Sequence, residues 1–258
     1  MNVLQVNVLR SEWTKLRTQP SAAWALVTTL AAIVGFGILY SLVRETRPPQ
    51  GASALATFDP TAVSLAGINL AQLAIGVLGV LLISNEYATG LIRSTFAAVP
   101  TRLPVLVAKA VVMTLTTLVL CVPATVAAFL TGQSILARDH LDVAFGAPGV
   151  WRAVVGSALY LGVVGLLGLA LGTLMRNTAA AVGTLVGALL GLQLVLALFP
   201  ASVQDHVYKY LPGPAGLAVT EVRPDPDSLA PWVGFGVICA YAAVVAALAA
   251  YRVRRSDA

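Results

Sequence analysis

The sequence predicts an all-α polytopic membrane protein with six transmembrane helices, and two observations lead to that fold class. The chain of 258 residues is 58% hydrophobic and only 10% charged, with a mean hydropathy of +0.86. A soluble domain averages about 25% charged residues, so this chain has too few polar groups to cover its surface. Six apolar runs are also each long enough to cross about 30 Å of hydrocarbon as a helix of about 20 residues.

The six runs predict one transmembrane domain over residues 1–258. They are continuously apolar, which favours helices over the strands of a membrane barrel, where apolar and polar residues alternate. The first run is too long for the core of a signal peptide, so we expect it to be retained. The predicted spans cover residues 22–43, 60–83, 110–135, 153–175, 178–199 and 231–251.

The positions of Lys and Arg predict the orientation of these spans. The predicted loops on one side carry ten of these residues and those on the other side carry six. Basic residues concentrate on the cytoplasmic side, so both termini are expected there. The excess of basic residues behind the net charge of +5 is thereby explained by the orientation of the spans in the membrane. No basic stripe with interleaved aromatic residues is present, and no nucleic-acid partner is expected.

Residues 1–20 are predicted to form an amphipathic helix that lies in the cytoplasmic membrane interface. Val6, Leu9, Trp13 and Leu16 recur at helical spacing, and Trp13 would sit at the depth of the lipid headgroups. The alternative is a basic tail that only sets the orientation of the chain.

A polar, charged stretch from residue 84 to residue 102 separates the second and third apolar runs. Asn85 is suited to cap a short helix with Glu86 in its first turn, and Gly90 allows a sharp turn after it. A second short helix would follow, ended by a proline. Its apolar face consists of Leu91, Ile92 and Phe96, and the proline is Pro100. The alternative is an interfacial loop that only joins two spans.

Two sequence patterns resemble a known family. Glu86-Tyr87-x-Thr89-Gly90-x-Ile92-Arg93-x-Thr95-x-x-Ala98-x-Pro100-x-Arg102 is similar to the pattern of bacterial ABC-2-type permeases, the membrane subunits of ABC transporters. Ser11-Glu12-x-x-Lys15 resembles their amino-terminal connecting helix. The six spans, the cytoplasmic termini and a long outer segment before the last span extend this resemblance over the whole chain.

The resemblance implies a set of roles and partners. Residues 85–102 would be a coupling helix that seats in a separate ABC ATPase, present in two copies, and residues 200–230 would cap the outer face. A second permease copy would complete a homodimer or a related heterodimer, with the substrate path between protomers. The implied coupling residues are Glu86, Tyr87, Thr89, Gly90, Arg93, Thr95, Pro100 and Arg102, and those of the interfacial helix are Glu12, Trp13 and Lys15.

Several kinds of site are missing from the sequence. There is no G-x-x-x-x-G-K-[S/T] phosphate loop, so we expect no nucleotide site and no enzymatic activity in this chain. ATP and Mg would bind to the partner ATPase. His140 and His206 are isolated, so no metal site is expected, and Cys121 and Cys239 are interpreted as packing residues.

The spans carry no ionisable residue near mid-depth, which argues against ion coupling. Lys109 is expected at the inner end of the third span, with its side chain extended to the interface. Three amide residues, Asn69, Gln72 and Gln193, are candidates for lining the substrate path. The alternative is that they form hydrogen bonds between helices.

Glycines recur on spans four and five. Those on span four are interpreted as tight packing within one chain, and those on span five as either internal packing or a seam between protomers. They are Gly162, Gly165, Gly168 and Gly172 on span four, and Gly183, Gly187 and Gly191 on span five.

The sequence therefore favours the permease subunit of an ATP-driven ABC exporter for a small amphipathic or hydrophobic substrate, such as a drug, an antibiotic or a lipid-like compound. The resemblance implies the bacterial plasma (inner) membrane, and thirteen Arg against three Lys is typical of a GC-rich bacterial gene. Alternatives within the family are a lipid or polysaccharide-precursor translocase and an immunity subunit. Outside it, the alternatives are an ion-coupled secondary transporter without an ATPase and a non-transporting scaffold.

Overall fold

The computed structural model describes residues 3–47, 49, 51, 58–98, 103–223 and 227–255. This part of the chain is helical and contains no strand, and six of its helices are long and apolar enough to span a membrane, which confirms the predicted all-helical class and the number of candidate spans. The six spans are Pro20–Thr46, Ile68–Ala88, Leu103–Asp139, Val150–Met175, Thr178–Leu196 and Pro231–Arg255.

An amino-terminal helix, Val3–Thr18, precedes span one, and a short helix, Leu91–Ala98, lies between spans two and three. We call the end of the bundle that holds these two helices the proximal end, and the opposite end the distal end. Leu16 is buried, whereas the Trp13 side chain is half exposed. The predicted helix is therefore present, and its location at a membrane surface stays a prediction.

Span two differs from its predicted form. The predicted run 60–83 is divided into a short helix, Pro60–Ser64, and the span itself, Ile68–Ala88. Gly67 lies at the division, where a Cβ atom would come within 2.5 Å of the Ile33 carbonyl oxygen. The close approach of span one therefore requires glycine at this position, and the chain bends where the two spans meet.

Span four is the centre of the bundle. In its most apolar 18-residue stretch 78% of the residues are buried, compared with 22% in each of spans five and six. Glycines allow spans two and four to touch backbone to backbone, because a Cβ at Gly168 would overlap the Gly76 carbonyl oxygen and one at Gly79 the Gly165 carbonyl oxygen. The predicted internal packing of the span-four glycines is thus confirmed on this face.

The glycines of span five are in a different environment. A Cβ at Gly183, Gly187 or Gly191 would meet no atom within 4 Å. These glycines therefore do not serve packing among the described residues. The span also contains a π-helical turn, Gly187–Gly191, and span one contains another, Ala32–Phe36. Such turns interrupt the α-helical hydrogen-bond ladder and are frequent at functional sites.

Spans four and five form a tight hairpin, as expected for two predicted runs that only residues 176 and 177 separate. Arg176 adopts a left-handed conformation with φ of 55°, and Asn177 caps span five by accepting a hydrogen bond from the Ala180 N–H at 2.9 Å. The turn lies at the proximal end, beside the last residues of span six.

The connection from span five to span six turns back into the bundle instead of covering its distal face only. Its helices are Ala201–Val207 and Pro212–Leu217, each followed by a 3-10 turn, Tyr208–Tyr210 and Ala218–Thr220. We call residues 201–220 the distal segment. Pro212 begins the second of these helices, because proline fits the first helical turn. A Cβ at Gly216 would overlap the Tyr160 ring inside span four.

Candidate functional site

Four charged side chains converge at the proximal end: Glu12, Lys15, Glu86 and Lys109, hereafter the charge cluster. Lys109 Nζ lies 2.5 Å from Glu12 Oε2 and 2.7 Å from Glu86 Oε1. Lys15 Nζ lies 2.7 Å from Glu12 Oε1 and 2.9 Å from Glu86 Oε1. Each glutamate thus contacts both lysines, and the cluster is neutral overall.

Three of the four side chains are almost entirely buried. The exposed fraction is 3% for Lys109, 3% for Glu12 and 9% for Glu86, compared with 39% for Lys15. Burial of an isolated charge costs several kcal/mol, so such a group needs close partners of opposite sign. Lys109 has two carboxylates and also donates to the Leu82 carbonyl at 3.2 Å.

The expectation that Lys109 extends to the interface was therefore wrong. Span three begins at Leu103, seven residues before the predicted start, so Lys109 lies inside the helix and faces the bundle. Its three N–H groups donate to three acceptors there. These hydrogen bonds replace the hydration that a lysine at the interface would retain.

Lys15 is the partly exposed member of the cluster. Its burial alone lowers its pKa, but hydrogen bonds and Coulomb attraction to Glu12 and Glu86 outweigh that effect, and the pKa of Lys15 is raised above its usual value. Lys15 is therefore protonated throughout the neutral range, and its contacts with both glutamates are charge-assisted.

The position of Glu86 also differs from the prediction. Glu86 was expected in the first turn of a separate short helix capped by Asn85, but span two continues unbroken to Ala88. The Asn85 carbonyl accepts the Thr89 N–H at 3.0 Å, which is a bond of a continuing helix and not of a cap. The Glu86 carboxylate consequently points towards the amino-terminal helix and span three.

The predicted sharp turn after span two is confirmed. Gly90 has φ of 74°, a conformation that is strained for other residues. In the short helix that follows, Ile92 is buried against Ile83, Val105, Leu169 and Val253, whereas Leu91 is exposed. Two residues of the expected apolar face thus differ in exposure, and the side chain of the third, Phe96, lies outside the described residues.

Two further residues of the predicted coupling region have defined contacts. The Arg176 guanidinium lies 5.4 Å from the centroid of the Tyr87 ring, which connects the end of span two to the turn between spans four and five. Thr95 bonds to the Leu91 carbonyl within its own helix at 3.1 Å. The side chain of Arg93, and Pro100 and Arg102 altogether, lie outside the described residues.

A cavity of about 590 Å³ lies at the distal end, between spans two and five and beneath the distal segment. Asn69, Gln72 and Gln193, the three amide residues that the sequence nominates for a substrate path, all line it. The structure thus brings these residues together around one space, and their part in a path stays a prediction.

Gln72 is held in the wall of this cavity by a residue that sequence reasoning missed. The hydroxyl of Tyr160, which is fully buried, donates to Gln72 Oε1, while Gln72 Nε2 donates to the Asn69 carbonyl at 3.0 Å. The signal in the sequence was a single tyrosine ten residues inside the apolar span four. A buried tyrosine hydroxyl usually has a hydrogen-bond partner, which predicts a polar neighbour.

Other side chains complete the cavity wall. Apolar residues contribute one part, with Leu190 from span five and Leu217 from the distal segment among them. The charged and polar members from the distal side are Gln204, Asp205, Tyr208, Lys209, Glu221, Asp227 and Ser228.

Asp59 fixes the position of the residues that follow the distal segment. Its Oδ1 caps the Pro60–Ser64 helix by accepting the Thr61 N–H at 2.9 Å. Its Oδ2 accepts the N–H groups of Val222 and Arg223 at 2.9 and 3.0 Å. One carboxylate therefore joins the beginning of span two to the chain that borders the cavity.

No protein-family model matches this chain, and no curated protein sequence matches it. Among the described residues there is no group of three or more His, Cys, Asp or Glu side chains that could hold a metal ion. The charge cluster and the distal cavity are candidate sites of this chain.

Proposed function

We propose that this protein is the permease subunit of an ATP-driven ABC exporter, coupled to a separate ATPase and moving a small amphipathic substrate. The observation that carries the proposal is the attachment of residues 84–98 to the bundle. Span two continues to Ala88 without a break, and Glu86 near its end is ion-paired with Lys15 and Lys109. The amino-terminal helix, span two and span three therefore meet in one charged contact.

This attachment is suited to the transmission of force. A buried ionic contact resists separation, because removal of one partner leaves an uncompensated charge. Ile92 also belongs to an apolar cluster that includes residues of spans two, three, four and six. Displacement of the short helix by a partner would thus move the spans as a body, whereas a loop that only joins two helices needs no such fixation.

The distal cavity supports the transport part of the proposal. Its three amides, which the sequence nominates for a substrate path, line one space between spans two and five. The further partners in this proposal are two ATPase copies, a second permease copy and membrane lipid. The location is the bacterial inner membrane, with both termini and the proximal end in the cytoplasm.

The test is a pull-down of the tagged full-length chain from native membranes into lipid nanodiscs, with the masses of co-purifying chains determined. A stoichiometric partner that carries a phosphate-binding loop, and substrate export that depends on ATP, are the expected results. A chain that remains alone in detergents and in nanodiscs would overturn the ATPase-coupled function.

The charge cluster also favours a second candidate, an ion-coupled secondary transporter. Buried ionisable groups are the usual components of proton and ion coupling, and Lys109, Glu12 and Glu86 are such groups. Transport that survives depletion of ATP and collapses with an uncoupler would establish this alternative. The opposite pattern would exclude it.

A further inference from the structure

The amide groups of the distal cavity present hydrogen-bond acceptors to a ligand. Asn69 Nδ2 donates to the Ala66 carbonyl, Gln193 Nε2 to the Leu189 carbonyl at 2.7 Å, and Gln204 Nε2 to the Phe199 carbonyl at 2.7 Å. Within the described residues, the side-chain carbonyl oxygens of these three amides accept no hydrogen bond. A ligand that donates hydrogen bonds can therefore bind to these oxygens, while each amide nitrogen keeps a second N–H.

The charges on the wall favour a cation. Three carboxylates, those of Asp205, Glu221 and Asp227, line the cavity, together with one ammonium group, that of Lys209. Together these four side chains carry a net charge of −2. The cavity favours a cation through the net charge of its wall, without any carboxylate having to be unpaired.

Two arginines lie close to this part of the chain without lining the cavity. The guanidinium of Arg152 donates to the carbonyls of Val219 and Glu221 at 3.3 and 2.9 Å. That of Arg223 donates to the Phe58 carbonyl at 2.8 Å. Both guanidinium groups donate to backbone oxygens, and that of Arg152 is also attracted to the carboxylates of Asp59 and Glu221, so the two arginines reduce the negative potential of the wall.

The rest of the wall is apolar. Leu190 and Leu217 come from opposite sides of the cavity, span five and the distal segment, and Pro214 and Ala218 lie beside them. A volume of about 590 Å³ falls within the range of about 300–1,000 Å³ that is usual for small-molecule sites.

We propose that this cavity binds an amphipathic organic amine. Its ammonium group would lie among the carboxylates and amide oxygens, and its apolar part would pack against Leu190 and Leu217. Tyr160 acts as a positioning residue, since its hydroxyl fixes the side chain of Gln72 in the wall. This inference rests on the proposed function, because it gives the substrate class of the same permease.

The test compares two fluorescent probes of nearly equal size and apolarity. One is dansylcadaverine, which carries a primary ammonium group, and the other is its N-acetyl derivative, which is neutral. Saturable binding to the full-length chain is measured by fluorescence titration in phosphatidylcholine nanodiscs, with empty nanodiscs subtracted. The amine is expected to bind at least about tenfold more tightly than its acetyl derivative, the size expected for one charge-assisted hydrogen bond.

Matched variants locate the binding. Asp205→Asn removes one carboxylate from the wall and should weaken amine binding by about tenfold, with the acetyl derivative unaffected. Asp139→Asn removes an exposed carboxylate at the same end of the bundle but outside the cavity, and should change neither affinity. Gln193→Leu provides a second variant that removes an amide oxygen without altering the charge.

Equal affinity for the two probes would overturn the amine class. Absence of saturable binding, or unchanged affinity in both Asp205→Asn and Gln193→Leu, would overturn the cavity as the site. Since the titration needs no ATPase, the two proposals fail separately. Selective amine binding without a co-purifying ATPase overturns the exporter only, and an ATPase partner without amine selectivity overturns this inference only.

Discussion

Lys109 of span three lies 2.5 Å from Glu12 of the amino-terminal helix, a residue 97 positions earlier in the chain. Both side chains are only 3% exposed, so the contact is a buried ion pair. Glu86 of span two joins this pair. The three residues therefore connect the amino-terminal helix, span two and span three, which span one and the short helix separate in the sequence.

Lys109→Met should destabilise the protein strongly. It leaves Glu12 and Glu86 with only the partly exposed Lys15, and removal of one partner from a buried pair costs about 3–5 kcal/mol. Lys15→Met is the matched control and should cost less, because Lys15 is 39% exposed and its contacts are screened by solvent. Thermal unfolding in detergent measures both changes.

A charge-balanced double variant separates lost charge pairing from lost packing. Lys109→Met combined with Glu86→Gln leaves one carboxylate and one ammonium group in the cluster. It should recover part of the stability that Lys109→Met loses, as a double-mutant cycle would quantify. No recovery would show that the cost arises from packing around the methionine.

Arg93→Glu tests the coupling region more cleanly than a change at Glu86. Glu86→Lys would place three ammonium groups together in a buried site and should disturb folding itself. Arg93→Glu should reduce co-purification of the ATPase and ATP-driven export while the thermal stability stays close to that of the parent protein. Export at the parental rate would refute the docking role of this region.

Gly90→Val should alter the angle between span two and the short helix. Gly90 has φ of 74°, which costs a residue with a side chain about 1–2 kcal/mol, and more for a β-branched one. ATP-driven export should fall by a larger factor than the amount of folded protein. Gly236→Ala, at a helical glycine of span six with open space around its Cβ, should change neither quantity.

The contact between spans two and four should tolerate no added methyl group. A Cβ at Gly79 would overlap the Gly165 carbonyl oxygen and lie 2.9 Å from the Leu169 nitrogen, both of them backbone atoms that cannot rotate away. Gly79→Ala should therefore lower the unfolding temperature in detergent. Gly236→Ala, at a helical glycine of span six with free space around its Cβ, should leave it unchanged or raise it slightly, since alanine favours helix.

Tyr160→Phe should destabilise the protein by about 1–3 kcal/mol, because Gln72 Oε1 is left buried without its donor. The matched control is Tyr241→Phe, whose hydroxyl donates to the Tyr210 carbonyl at an exposed position and should matter little. Thermal unfolding compares the two. A similar small effect in both variants would remove the positioning role of Tyr160.

Particular residues show how far the sequence could lead towards the sites. Asn69, Gln72 and Gln193 were nominated because amides are conspicuous in apolar spans, and all three line one cavity. The sequence does not single out Tyr160, because a tyrosine is common among the apolar residues of a span. The carboxylates of the cavity wall come from the connection between spans five and six. No local sequence pattern predicts that this connection returns into the bundle.

The sequence by itself determined the number of spans, because hydrocarbon thickness and the cost of unpaired backbone groups act on each run separately. It also determined the turn at Gly90 and the hairpin at Arg176 and Asn177, which depend on local conformational preferences. Only the tertiary structure decided that Lys109 faces Glu12 and Glu86 and not the membrane surface. A buried charge is stabilised by partners distant in sequence, and their arrival together depends on how the helices pack.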